Sequence, residues 1–253
     1  MPPQNIKIDP LYHDRNLAQF YDVINLWDSD QDYCSALAKD AGSVLDIGCG
    51  TGVFLTALPN ELTTVGVDPA GAMLEIARNR PNCHQVKWIE GDARTFRLDQ
   101  KFDLIVLTGH AFQCFLSEVD QLATLKTIAS HLSPTGRFIF DMRNPAREAW
   151  KDWMDDTSKE TIHHPELGAT QTWSNVSREA STAIVTYDTH YQVVETGQLF
   201  SASSDITFTP QDVLNNRIIQ SGLMVDQWLG DWQGEAFTEQ SKEIIPIGRL
   251  ARN

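Results

Sequence analysis

The stretch Val44-Leu45-Asp46-Ile47-Gly48-Cys49-Gly50-Thr51-Gly52 constrains the fold more than any other part of the chain. A short apolar run of this kind suits a strand buried on both faces, and here it passes directly into a turn with glycine at three alternate positions. Glycine frees φ for a tight turn and removes the Cβ atoms that would hold a ligand off the main chain. Such a strand and turn open a βαβ unit, whose parallel sheet meets its ligand at the carboxyl ends of the strands.

The charges around the turn say what kind of ligand. Between Lys39 and Arg78 the chain has no Lys or Arg, while Asp40, Asp46, Glu61, Asp68 and Glu75 fall in that interval. There is no P-loop lysine, Val53 stands where Gly-x-Gly-x-x-Gly would place its last glycine, and Asp46 precedes the glycines. A phosphate is poorly served by this set, and a ligand with positive groups is well served. S-adenosylmethionine has an ammonium and a sulfonium, no phosphate, and a ribose whose hydroxyls need an acceptor. Asp68 supplies the acceptor at the expected spacing, just after the β-rich run 63–67. Asp92, in Gly91-Asp92-Ala93 after the run 85–89, is placed to accept from an adenine amino group.

These motifs are followed by Phe-Asp-Leu-Ile-Val-Leu-Thr-Gly-His-Ala-Phe-Gln (102–113) and Leu-Ser-Pro-Thr-Gly-Arg-Phe (132–138). In that order they make residues 21–144 resemble the class I S-adenosylmethionine-dependent methyltransferases. The resemblance implies an α/β fold with a Rossmann-like, seven-stranded sheet, helices on both faces and an antiparallel β insert over the active site. It implies cofactor contacts from Tyr21, Asp46, Gly48, Cys49, Gly50, Asp68, Pro69, Met73, Asp92, Ala93 and Thr108. Tyr21, in the amphipathic run 17–26, would cover the methionine end. His110 follows the fourth strand, where cofactor and acceptor meet in this family. Its imidazole suits a base that removes a proton from an acceptor hydroxyl or amine. Alignment and exclusion of water can also suffice, because the sulfonium brings its own leaving group.

Strand and helix patterns alternate through the first part of the chain, with strands expected over 44–47, 63–67, 85–89, 104–108 and 137–141. Helices are expected over 52–58, 70–79 and 117–132. One domain results: a helical cover over about 10–40, a cofactor-binding core over 41–144, a β insert over 145–208, and a closing helix and hairpin over 209–253. The insert reads as three strands, 169–176, 182–195 and 198–208. In relatives an insert of this kind builds the acceptor pocket, and acceptor contacts are expected from His110, Arg143, Tyr187, Tyr191 and Trp232. At strand period Tyr187 and Tyr191 share a face with Val185, Thr189 and Val193.

Composition excludes several other classes. A net charge of −14 opposes a nucleic-acid partner. No apolar run reaches the roughly 18 residues that would span a bilayer. The four cysteines form no Cys-x-x-Cys pair, and Met-Pro-Pro-Gln resembles neither a signal nor a transit peptide, so a cytoplasmic protein acting on a small molecule is expected, as a monomer or homodimer. No metal is expected. Adjacent His163 and His164 point to opposite faces and read as a solvated loop, and Asp28, Asp30 and Asp32 lack the Gly and Glu of a calcium loop. His131 reads as a cation at a helix carboxyl end. Two other functions fit less well: a non-catalytic S-adenosylmethionine-binding protein, and a nicotinamide-dependent oxidoreductase, which would want the missing third glycine and a Tyr-x-x-x-Lys pair.

Overall fold

The computed structural model describes residues 8–153, 159–178 and 182–251, and the opening Met-Pro-Pro-Gln lies outside them. Strands Ser43–Ile47 (β1), Thr63–Asp68 (β2), Val86–Glu90 (β3), Phe102–Leu107 (β4) and Leu132–Phe140 (β5) lie parallel in the order β3-β2-β1-β4-β5. The central strands are apolar because both their faces are covered. Leu45 and Ile47 turn toward Leu125 and Ile128 of helix Glu118–His131, and Val44 turns to the other side with Leu55 and Leu74.

The closing helix Gln211–Gln220 leads into Leu223–Leu229, which pairs antiparallel with Glu243–Leu250. The last strand also lies antiparallel to β5. One two-residue strand, Met142–Arg143, was not expected; it pairs with the last strand at Glu243 and brings the sheet to eight strands.

The insert is a separate antiparallel sheet of four strands rather than three. Glu160–His164 adds the fourth, pairing with Gly168–Arg178 across the turn that Gly168 closes at φ +73°. The solvated-loop reading of 163–164 is therefore corrected. His163 is exposed, but His164 is buried, accepts the N–H groups of Glu166 and Leu167 at Nδ1, and lies against Phe20. His131 is corrected too. Burial lowers its pKa, its Nδ1 meets the Thr127 carbonyl at 2.7 Å and its Nε2 accepts from Leu98, so it is a neutral core imidazole.

The short N-terminal helices Pro10–His13, Arg15–Ala18 and Tyr21–Ile24 sit between the two sheets. Phe20 is fully buried and stacks on Tyr191 at 4.2 Å, with Phe200 at 5.4 Å. A polar strap fixes the same cover to the glycine turn. Asp22 accepts from the Thr51 hydroxyl at 2.6 Å and pairs with Arg80, whose Nε donates to the Thr51 carbonyl. Among the described residues no helix is long and apolar enough to cross a membrane.

Because Phe20 joins the insert to the cover, Phe20→Ala is expected to destabilise the protein by about 3 to 5 kcal/mol. The loss should read as a lower urea midpoint, with proteolysis starting within 10–25. A midpoint matching the parent would show that Tyr191 and Phe20 do not hold the insert down.

Candidate active site

The glycine turn forms as its sequence requires. Gly48, Gly50 and Gly52 all lie in the left-handed region, at φ +76°, +52° and +76°, and a Cβ on Gly52 would come within 2.3 Å of Trp88. The N–H groups of the turn are already engaged. Those of Gly48 and Cys49 donate to the Val67 carbonyl, that of Gly50 to Asp68 Oδ2 at 2.8 Å, and that of Gly52 to the Cys49 carbonyl. A phosphate-binding turn presents such groups to its ligand, and this one turns them onto β2.

Asp68 stands at the end of β2, 7% exposed, with its other oxygen accepting the Ala70 N–H at 2.8 Å. Burial raises its pKa, and the two backbone donors partly offset this. Asp46, at the end of β1, is in a different state. Burial, then the charges of Asp68 and Asp30, all push it up to about 8, and nothing offsets them. Asp30, from helix Ser29–Ala38, is itself raised by burial, against a backbone N–H from Gln31. Buried carboxylates normally have a cation or donors, so this group is a hole for positive charge.

Tyr21 closes the hole from above. Its ring lies about 4 Å from where a Gly50 Cβ would be, and its hydroxyl 3.9 Å from the same point on Gly109. The Met73 methyl reaches 3.5 Å from the Gly50 position, and Met73 packs with Ala18 and Ala70. Cys49 and Ala93 are buried, and Gly48, Pro69 and Thr108 are partly exposed along the same edge. Asp92 is tied up more than the sequence suggests. Burial alone would raise it, but Arg94 holds it below the usual carboxylate range, with the guanidinium on both oxygens and bridging to Asp120. A ligand amine at Asp92 would share those oxygens with Arg94.

His110 opens the short turn after β4 in the left-handed region, at φ +61°, uncommon for a residue with a side chain. Asp141 holds it there by accepting the His110 N–H at 2.9 Å. The ring Nε2 lies 3.0 Å from Glu243 and 3.5 Å from the second Asp141 oxygen. A carboxylate oxygen only accepts, so the ring hydrogen sits on Nε2, and Nδ1 is left as the acceptor. Burial raises Asp141 to about 6 despite the nearby imidazole. His110, Asp141 and Glu243 offer atoms within 4.8 Å of one another, a set that could hold a metal, but their hydrogen bonds already account for the grouping.

The acceptor side differs from expectation in two residues. Tyr191 is buried against Phe20 as packing. Trp232 lies against Tyr33, in the cluster with Cys34 and Ala38, so it does not share a space with Tyr187 and Tyr191. Tyr187 is met instead by Tyr12 and Trp153. The hydroxyls of Tyr12 and Tyr187 act on each other, and burial raises both. Trp153 meets Tyr187 edge-on at 6.1 Å, and Tyr12 meets Tyr21 in the same way at 6.1 Å. Cys114 is open to solvent, yet the surrounding protein pushes its thiol up to about 12. Tyr12, Cys114 and Glu243 carry no local motif, and only their positions in space mark them.

Comparison with known proteins agrees with this geometry. Residues 44–136 match the family model described as a methyltransferase domain. The chain is 30% identical over 144 residues to a cypemycin N-terminal methyltransferase of a Streptomyces species, covering 54% of this chain and 59% of that one. It is 34% identical over 110 residues to a dTDP-3-amino-3,4,6-trideoxy-alpha-D-glucopyranose N,N-dimethyltransferase of Streptomyces venezuelae, covering 42% and 44%. The matches thus span about half the length of these curated relatives. A solved S-adenosylmethionine-dependent methyltransferase from Clostridium acetobutylicum shares the fold, with a TM-score of 0.77 at 16% identity over 94% of this chain and 98% of that one. Residues 44–136 therefore form a methyltransferase domain, whose cofactor is S-adenosylmethionine.

Proposed function

We propose that the protein transfers a methyl group from S-adenosylmethionine to the nitrogen of a small-molecule amine. The observation that carries this reading is the hole for positive charge formed by Asp46, Asp68 and Asp30 beneath Tyr21, beside a glycine turn whose N–H groups are turned away from any phosphate. Its residues fit the cofactor: Asp68 keeps free lone pairs for ribose hydroxyls, and Asp46, which holds its proton up to about pH 8, would give that proton up to pair with a cationic end. Nitrogen rather than oxygen is favoured because an acid-lined mouth attracts a protonated amine, and because one relative is named as an N,N-dimethyltransferase and another as an N-terminal methyltransferase.

When bound, S-adenosylmethionine supplies an electrophilic methyl carbon with a good leaving group. The protein does the rest. Tyr21 and the cover exclude water, and the turn positions the reacting ends. A protonated amine must lose a proton before its lone pair can attack. In this reading His110 Nδ1 takes it, with Glu243 and Asp141 holding the ring and stabilising the imidazolium that results.

Calorimetry tests the ligand assignment. S-adenosylmethionine and S-adenosylhomocysteine are expected to bind in the micromolar range, about −8 kcal/mol, and NAD far more weakly. Tighter binding of NAD would sink the reading. Asp68→Ala should weaken the adenosyl ligands by about 10- to 1,000-fold.

The buried carboxylate gives a pH signature. Asp46 has a folded pKa of about 8, above its ordinary unfolded value. The unfolded chain therefore gives up that proton first, and this part of the stability is full below about pH 4 and lost as pH rises through 8. Asp46→Asn should gain on the parent in urea midpoint between about pH 5 and 8. A constant difference between the two proteins would remove Asp46 as an uncompensated charge.

On an amine that the protein turns over, His110→Ala should lower turnover about 100-fold or more and leave S-adenosylhomocysteine affinity within about twofold. Glu243→Gln should lower turnover less and move the pH profile. Unchanged turnover in His110→Ala would leave alignment and desolvation as the whole mechanism.

A further inference from the structure

Beside Trp153 the acceptor wall holds a cation with no counter-ion among the described residues. Arg143 lies in the two-residue strand beyond β5, half-buried, with its guanidinium 4.8 Å over the Trp153 ring. The ion pairs among the described residues engage Arg15, Arg80, Arg94, Lys151, Arg217 and Arg249, and not Arg143. In a chain of net charge −14 this is unusual, since a partly buried arginine normally finds a carboxylate.

Its position is built rather than incidental. Gln113 is fully buried, and its Nε2 donates to the Thr207 carbonyl at 2.9 Å. That bond turns Oε1 toward Arg143, where it accepts the backbone N–H at 3.3 Å and Nη1 at 3.1 Å. Stacking on Trp153 and one hydrogen bond fix the plane of the fork, and among the described residues no other acceptor meets its remaining N–H donors, the arrangement that grips a planar or tetrahedral anion in two-point contact.

The aromatic wall links this cation to the cofactor end. Trp153 meets Tyr187, Tyr187 meets Tyr12, and Tyr12 meets Tyr21 over the glycine turn. The Cys114 thiol lies within the fields of Asp9, Asp68 and Arg143.

From this we infer that the acceptor carries an anionic group, a carboxylate or a phosphate, which Arg143 binds while the nucleophilic end lies under Tyr21 beside His110. The inference rests on the methyl-transfer reading for the role of the ligand, but the anion site is measurable without turnover.

The experiment titrates phenylacetate, phenyl phosphate and the neutral 2-phenylethanol into protein loaded with S-adenosylhomocysteine, by calorimetry. At least one anion should bind about tenfold or more tightly than the neutral compound, and raised salt should narrow the gap. Which anion binds tells carboxylate from phosphate. Arg143→Gln should bring all three within about twofold while S-adenosylhomocysteine affinity stays within about twofold, and Arg143→Lys should keep part of the preference. Equal binding of anions and alcohol by the parent overturns the inference, and so does an undiminished preference in Arg143→Gln. Should that variant not fold, the parent comparison and its salt dependence still decide. Failure of methyl transfer would show separately, as no binding of S-adenosylhomocysteine, and the anion titration can then be run on the unloaded protein.

Discussion

The carboxylate of Asp68 accepts the N–H of Gly50 on one oxygen and that of Ala70 on the other, and the rest of the ligand end depends on this pair of bonds. The Gly50 bond, with those of Gly48 and Cys49 to the Val67 carbonyl, draws the glycine turn down onto β2 and occupies donors with which a nucleotide-binding turn grips phosphate. The two bonds to Asp68 also fix a negative charge beside Asp46, which has no compensating donor and is raised to about 8. The same backbone architecture that elsewhere holds a pyrophosphate is thereby converted into a receptor for positive charge.

Above that receptor the aromatic residues divide into two groups with different work. Phe20, Tyr191 and Phe200 are a dry contact that docks the insert on the N-terminal helices. Tyr12, Tyr21, Tyr187 and Trp153 form an edge-to-face series along an accessible wall. Tyr187 and Tyr191 stand on the same strand face, and the cover meets both, Tyr187 through the Tyr12 hydroxyl and Tyr191 through the Phe20 ring. The polar strap from Asp22 through Arg80 to Thr51 ties the cover to the glycine turn, so the roof of the site and its floor are held by a single network.

Charge gives the site a direction. Asp30, Asp46 and Asp68 lie by the glycine turn, His110 is braced between Asp141 and Glu243, and Arg143, the cross-strand partner of Glu243, lies on Trp153. A substrate with a cationic or nucleophilic end and an anionic end would be oriented by this field before it made any close contact. The imidazole is held in an uncommon backbone conformation by the same Asp141 that faces its ring, so orientation and position of the base have one source.

What the sequence determined by itself was local. The apolar run into alternate glycines defined the turn, the lack of nearby cations defined the ligand's charge, and the strand-end acids Asp46 and Asp68 followed from the spacing of βαβ units. Each of these depends on residues close together in the chain or on a fixed period, which is why each could be read in one dimension. The strand Glu160–His164 escaped because its adjacent histidines carry no alternating apolar signal, and its existence depends on pairing with Gly168–Arg178. Tertiary structure alone decided the rest. Glu243 meets His110 across 133 positions of chain, Asp22 meets Arg80 across 58, and Gln113 aims Arg143 across 30. Strand period tells which residues share a face, but not what lies opposite that face. Trp232 on Tyr33, Tyr191 on Phe20 and Arg143 on Trp153 are all facts about the opposite side, set by how sheet, cover and insert pack in three dimensions.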